Sequence, residues 1–176
     1  MRILLRFLFL ITMTYAVFLH SCTVNYSFTG ADIPAEAKTV SVALFGIDGP
    51  EASLAPPGAA DQFTDVLNAT MLTQTNLDLI NKDGDLQFSG YIIKYTNTPV
   101  APQSDTESSN RNRLSITVSV TYTNSIEPDK SFENKQFSQF ADFDANIDLT
   151  SIENELQTEI FETITQDIFN SSLGSW

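Results

Sequence analysis

The sequence predicts an α+β fold: a two-layer sandwich in which a mainly antiparallel sheet of four to five strands carries two amphipathic helices on one face. Three patterns point to it. Leu114, Ile116, Val118, Val120 and Tyr122 alternate strictly with Ser115, Thr117, Ser119, Thr121 and Thr123. At the two-residue period of a strand, that buries one face and wets the other. Leu149, Ile152, Leu156, Ile160, Ile164 and Ile168 recur at the helical spacing of three or four residues, which makes one apolar stripe. Phe63, Val66, Leu67 and Met71 repeat that spacing earlier in the chain. A sheet with one apolar face and two helices with one apolar stripe each bury those surfaces against one another.

The elements follow in order. Arg2 and Arg6, an apolar run from Ile3 to Leu19, and Ser21 before Cys22 have the layout of a secretory signal peptide. As a membrane span the run falls short of the roughly 20 apolar residues needed. Cys22 directly follows the expected cleavage point, as in bacterial lipoproteins whose cysteine sulfur is lipidated. Residues 1–21 are therefore expected to be a cleaved signal peptide, 22–37 a lipidated lead-in and 38–176 a single domain. Thr39 to Phe45 is β-branched and apolar, hence a strand. Ile47 to Gly58 is a loop with Gly-Pro and Pro-Pro breakers. A helix runs from Ala59 to about Gln74. Leu77 to Asn81 is a short strand, and Lys82-Asp83-Gly84 a turn in which Gly84 accepts positive φ. Leu86 to Asn97 is the next strand.

Pro99 to Asn112 is a low-complexity stretch, long enough for a functional loop. Leu114 to Thr123 is the clearest strand. Ser131 to Phe143, after the turn Glu127-Pro128-Asp129, is another. There Phe137, Ala141 and Phe143 share a parity that Phe132 and Phe140 do not, which a bulge explains. In the last helix, Thr150 and Glu153 fit a capping box and Gly174 a stop.

Composition excludes several functions. Removal of residues 1–21 leaves 155 residues, enough for one domain with a core. Those residues hold 7 basic and 22 acidic side chains, a surface that repels nucleic acid and anionic membrane. The chain's 56 Ser, Thr, Asn and Gln residues outnumber its charged ones, so the surface is hydroxyl-rich. The only cysteine is Cys22 and the only histidine, His20, leaves with the signal peptide. No disulfide, thiolate metal site, histidine base or histidine ligand remains. No nucleophile motif stands out, so no enzyme and no cofactor is expected.

Two clusters merit chemical attention. Counting Asp142 as position one, Asp144, Asn146 and Asp148 fall on alternate positions and Glu153 on the twelfth, the spacing of a calcium loop. Ile147 occupies the position where that loop's sharp turn wants glycine, so an acidic turn before a capped helix is the reading preferred. The second cluster is basic. Lys94, Arg111, Arg113, Lys130 and Lys135 are five of the seven basic residues that follow Cys22. They form either a local anion-binding patch or ordinary charged strand ends. Arg111 and Arg113 lie opposite in parity to Leu114 and Ile116, so both are expected on the wet face. Guanidinium forks there could hold a phosphate through paired hydrogen bonds, with Lys94 or Lys135 completing the site.

An ordered set of segments resembles a known family. After Cys22 come Tyr26-Ser27-Phe28-Thr29-Gly30-Ala31, Lys38-Thr39-Val40-Ser41-Val42 and Gly84-Asp85-Leu86-Gln87-Phe88-Ser89-Gly90. Asn112-Arg113-Leu114-Ser115-Ile116-Thr117-Val118, Phe140-Ala141-Asp142-Phe143-Asp144 and Asp167-Ile168-Phe169-Asn170 follow, with Trp176 last. Together they resemble the LptE family of outer-membrane lipoproteins, in its Bacteroidetes form, over nearly the whole mature chain. The resemblance implies a sheet with two helices packed on it. It also implies a non-catalytic protein that plugs the lumen of the LptD β-barrel and assists insertion of lipopolysaccharide into the outer leaflet. Lipopolysaccharide phosphates then offer a use for Lys94, Arg111, Arg113 and Lys135. A barrel lumen is polar and wet, which suits a hydroxyl-rich face. Thr23 stands where aspartate would signal inner-membrane retention, and no acidic export run follows Cys22. Both imply a lipid-anchored, periplasm-facing place at the outer membrane. The alternative function is a stand-alone periplasmic glycolipid-binding lipoprotein.

Overall fold

The computed structural model describes residues 32–100 and 110–174. The expected signal peptide, Cys22 and residues 101–109 of the low-complexity stretch lie outside the described residues. The elements are β1 Thr39–Val42, β2 Gly46–Ile47, α1 Ala59–Gln74, β3 Asp78–Leu79, β4 Leu86–Val100, β5 Arg111–Asn124, β6 Phe132–Asp144 and α2 Leu149–Leu173. This is the expected α+β arrangement, with one more short strand than the sequence pattern suggests.

The sheet runs β3-β1-β4-β5-β6, with β2 beside β4. β4, β5 and β6 form an antiparallel meander, as expected. The short strands differ: β1 is parallel to both β3 and β4, and β2 is parallel to β4. Lys82-Asp83-Gly84 therefore closes no hairpin, because β1 lies between β3 and β4. The positive φ in that turn belongs to Asp83, at 57°. Gly84 serves close packing instead: a Cβ there would lie 2.7 Å from the Ser41 backbone nitrogen.

β1 also ends sooner than its composition suggests. After Val42 the chain steps aside and sends Phe45 into the core, where the Phe45 N–H donates to Thr64 Oγ1 of α1 at 3.0 Å. Gly90 of β4 makes the room, since a Cβ there would lie 2.8 Å from the Phe45 ring. Pairing resumes at Gly46 and Ile47, opposite Tyr91 and Ile92. In β6 the expected bulge is present. Val120 faces Lys135 and Tyr122 faces Phe132, so β6 holds one residue more than β5 between these pairs. Asn134 takes a φ of 51° there. The bulge returns Phe132 to the core face with Phe137, whereas Phe140 stays outside, 52% exposed.

The alternating set of β5 is the floor of the core: Leu114, Ile116, Val118, Val120 and Tyr122 are each 0% exposed. Over it lie Phe63, Leu67 and Met71 of α1 and Ile160, Phe161, Ile164 and Ile168 of α2. Burying each such side chain stabilises the fold by about 1.5–3 kcal/mol. Phe63 joins the layers, its ring edge-on to Phe45 at 4.9 Å and to Phe161 at 5.2 Å.

The helices meet along a seam that is partly polar. Gln157 Nε2 donates to Gln62 Oε1 at 2.7 Å, Gln62 Nε2 to Thr158 Oγ1 at 2.9 Å, and Gln74 Nε2 to Gln166 Oε1 at 2.7 Å. Partners rise together in number, so α1 and α2 run parallel. The start of α2 corrects the expected capping box. The cap is Asp148, whose Oδ1 accepts from Thr150 N at 3.1 Å. Glu153 instead accepts from the buried Tyr95 hydroxyl at 2.8 Å. Gly174 ends α2, but with φ −71° rather than a left-handed turn.

Candidate functional site

Both helices cover one face of the sheet, and among the described residues no α-helix lies on the other, the bare face. Its surface follows from strand parity and register. β5 contributes Arg111, Arg113, Ser115, Thr117, Ser119, Thr121 and Thr123, opposite in parity to its buried set. β4 contributes Gln87, Ser89, Tyr91, Lys94 and Thr96, and β6 contributes Ser138, Phe140 and Asp142. Rows of hydroxyls thus run across three strands, and they hydrogen-bond one another where they are close: Thr117 Oγ1 donates to Ser138 Oγ at 3.0 Å.

Charge is gathered at one end of this face. Arg113 lies opposite Asp142 in the β5–β6 register. Its Nε and Nη2 donate to Asp142 Oδ1 and Oδ2 at 2.6 and 2.9 Å, a bidentate fork. The same guanidinium sits 3.6 Å from the centroid of the Phe140 ring, a cation–π contact. The hydrogen bonds from Arg113 hold the Asp142 carboxyl below its usual range, and they raise Arg113 in turn. Among the described residues, Arg111 donates to the Asp142 carbonyl at 3.4 Å, and its charge also helps lower the Asp142 carboxyl.

The four expected phosphate contacts do not converge. Arg111 and Arg113 share the bare face, as their parity required. Lys94 shares it too, but lies opposite Thr117, four positions along β5 from Arg113. That is about 13 Å at the rise of a strand. Lys94 pairs with Glu51 at 3.4 Å. Lys135 lies opposite Val120 on the helix-covered face. There it donates to Ser171 Oγ of α2 and sits over the Phe132 and Phe137 rings at 5.1 and 5.6 Å.

The acidic turn is occupied by local structure. Asp142 holds Arg113, Asp144 Oδ1 accepts from Asn146 N at 2.8 Å, and Asp148 caps α2. Glu153 faces Tyr95. Among the described residues no group of three metal-ligating side chains comes together.

Two side chains of this face escaped the sequence pattern as contributors. Asp142 is the partner of Arg113, and Phe140 its stacking surface. The off-parity position of Phe140 was the visible signal, since a phenylalanine pointing away from the core needs another contact.

The model of the LptE family, described as lipopolysaccharide-assembly, matches residues 37–172. The chain belongs to the LptE family. This places it among lipopolysaccharide-assembly lipoproteins of the cell envelope. No curated protein matches the chain significantly in sequence. Among solved structures, this LptE-family chain is similar to an uncharacterized lipoprotein B from Nitrosomonas europaea. The identity is 12%, the match covers 84% of this chain and 88% of that one, and the TM-score is 0.52. It is also similar to a protein from Xanthomonas campestris, with 10% identity, coverage of 85% and 89%, and a TM-score of 0.53. At such identities the likeness concerns the fold alone.

Proposed function

We propose that this LptE-family protein is a non-catalytic outer-membrane lipoprotein of the Bacteroidetes type, lipidated at Cys22 and facing the periplasm. It plugs an LptD-like β-barrel and assists that barrel in placing lipopolysaccharide in the outer leaflet. The family match across residues 37–172 carries this proposal. The bare, hydroxyl-rich sheet face supports it, because a domain seated in a polar lumen needs a surface of that kind. Lipopolysaccharide phosphate contact is assigned first to Arg111, which among the described residues donates to the Asp142 carbonyl and lowers the Asp142 carboxyl through its charge but makes no ion pair. Arg113 and Lys94 share its face but are each paired with a carboxylate. Lys135 stands behind the sheet and is the weakest of the four.

Affinity purification from detergent-solubilised outer membranes tests the proposal. The full-length lipoprotein is expected to bring down a large β-barrel in near-equal amount. Recovery as a monomer that still binds lipopolysaccharide would instead establish a stand-alone periplasmic glycolipid-binding lipoprotein. In the same preparation, Arg111→Glu should weaken photo-crosslinking to lipopolysaccharide severalfold while the barrel is retained. Unchanged crosslinking would remove Arg111 from the contact.

A further inference from the structure

A second region of the bare face lies toward the start of β4, away from the arginines. Ser41 of β1, Gln87 and Ser89 of β4, and the turn residues Asn81, Lys82 and Asp83 line an open groove of about 160 Å³. Next along the same strand and face stands Tyr91. One side of its ring, Cδ1 and Cε1, lies against Gly46 so closely that a Cβ there would be at 2.8 and 2.9 Å. Glycine thus lets β2 back the ring and hold it in place, while 54% of Tyr91 stays exposed. Ser89 and Tyr91 are two positions apart, about 7 Å at the rise of a strand.

We propose that this groove and the Tyr91 ring form a binding site for an uncharged saccharide chain. Three features select that chemistry. Amides and hydroxyls both donate and accept, matching sugar hydroxyls, which do the same. The charged groups of the lining are one lysine and one aspartate, adjacent in sequence, so the groove selects neither an anion nor a cation by net charge. An exposed aromatic ring fixed on backbone offers an apolar platform beside polar groups, and a pyranose ring has one C–H-rich face with hydroxyls around its rim. The groove is small beside the ~300 Å³ and upward of closed ligand pockets. A chain would therefore lie across it, one ring among the polar groups and the next on Tyr91. The site goes beyond barrel plugging and shares no residue with the arginine end of the face.

The test titrates the purified full-length lipoprotein in detergent with three neutral pentasaccharides: maltopentaose, cellopentaose and chitopentaose. Saturation-transfer and amide-shift NMR supply the readout. At least one is expected to bind, with shifts at Asn81, Ser89 and Tyr91. Tyr91→Ala should weaken that binding roughly fivefold or more, the worth of one aromatic contact, and Tyr91→Phe should keep it. Tyr91 is exposed, so a thermal melt of Tyr91→Ala should match wild type. No binding by any of the three sugars, binding indifferent to Tyr91→Ala, or displacement of the sugar by inorganic phosphate would each overturn the proposal. Barrel co-purification is read on the wild-type protein and saccharide binding on the isolated lipoprotein, so failure of the saccharide site and failure of the barrel partnership read out separately.

Discussion

One carboxylate joins the beginnings of β1 and β4. Asp85 Oδ2 accepts from Lys38 N at 2.9 Å, Thr39 N at 3.0 Å and Thr39 Oγ1 at 2.8 Å. The Asp85 N–H in turn donates to Thr39 Oγ1 at 2.9 Å. The backbone hydrogen bond from Lys38 leads the causes that lower the Asp85 pKa below 3.8. Because the folded-state pKa is depressed, the stabilisation is present above the ordinary carboxylate pKa and is lost as pH falls through the folded value. Asp85→Asn should therefore melt at a lower temperature than wild type at pH 7, and the gap should close on acidification below pH 3.8. A gap independent of pH would show that the charge of Asp85 is not what joins the strands. The arginine end of the bare face was partly visible at this scale. The parity of β5 places Arg111 and Arg113 on the wet side, and Lys135 shares the parity of buried Phe137. That Asp142 occupies the Arg113 fork was not visible, because it depends on the β5–β6 register.

At the scale of elements, α2 illustrates how a correct helix can carry a misread start. Asp148 takes the extended conformation of a cap, φ −68° and ψ 122°, and accepts from the Thr150 N–H. Thr150 is already inside the helix and exposed. Asp148→Ala should thus cost about 1 kcal/mol, the usual worth of a cap, whereas Thr150→Ala should change stability by less than about 0.5 kcal/mol. Chemical denaturation of both variants measures this, and a larger loss at Thr150 would return the cap to that residue. Elements with long periodic patterns were legible: α1, β4, β5, β6 and α2 all stand where hydrophobic spacing puts them. Strands of two to four residues hold no such pattern. Their pairing depends on contacts far along the chain, such as the insertion of β1 between β3 and β4 and the Phe45–Gly90 packing. The turn expected at Lys82-Asp83-Gly84 therefore joins strands that do not pair with each other, since turn residues specify a bend and not the partner beyond it.

The whole molecule has two unlike ends. Asp32, where the described chain begins, donates its N–H to the Leu173 carbonyl at 2.6 Å, and its carboxylate meets Lys130 at 2.7 Å. Asp32 thus stands beside the β5–β6 turn and the end of α2, while Arg111, Arg113 and the acidic turn stand at the other end. Ten Cα-to-Cα steps lead from Cys22 to Asp32, a reach of at most about 36 Å. On the proposed lipidation of Cys22, the tether would join the domain at the end opposite the arginines. The protein surface adds no attraction to that arrangement, because the residues after Cys22 hold 22 acidic against 7 basic side chains, and anionic lipid repels such a surface. On the proposed lipidation of Cys22, attachment would rest on its acyl chains, each buried CH₂ contributing about 0.8 kcal/mol and a single chain holding only marginally. Cys22→Ser is expected to release the protein from the membrane fraction or to leave it as an uncleaved precursor. Mass spectrometry of the wild-type N-terminal peptide should find several acyl chains on Cys22. An unmodified Cys22, or a serine variant that stays processed and membrane-bound, would show that something other than this cysteine holds the domain in place.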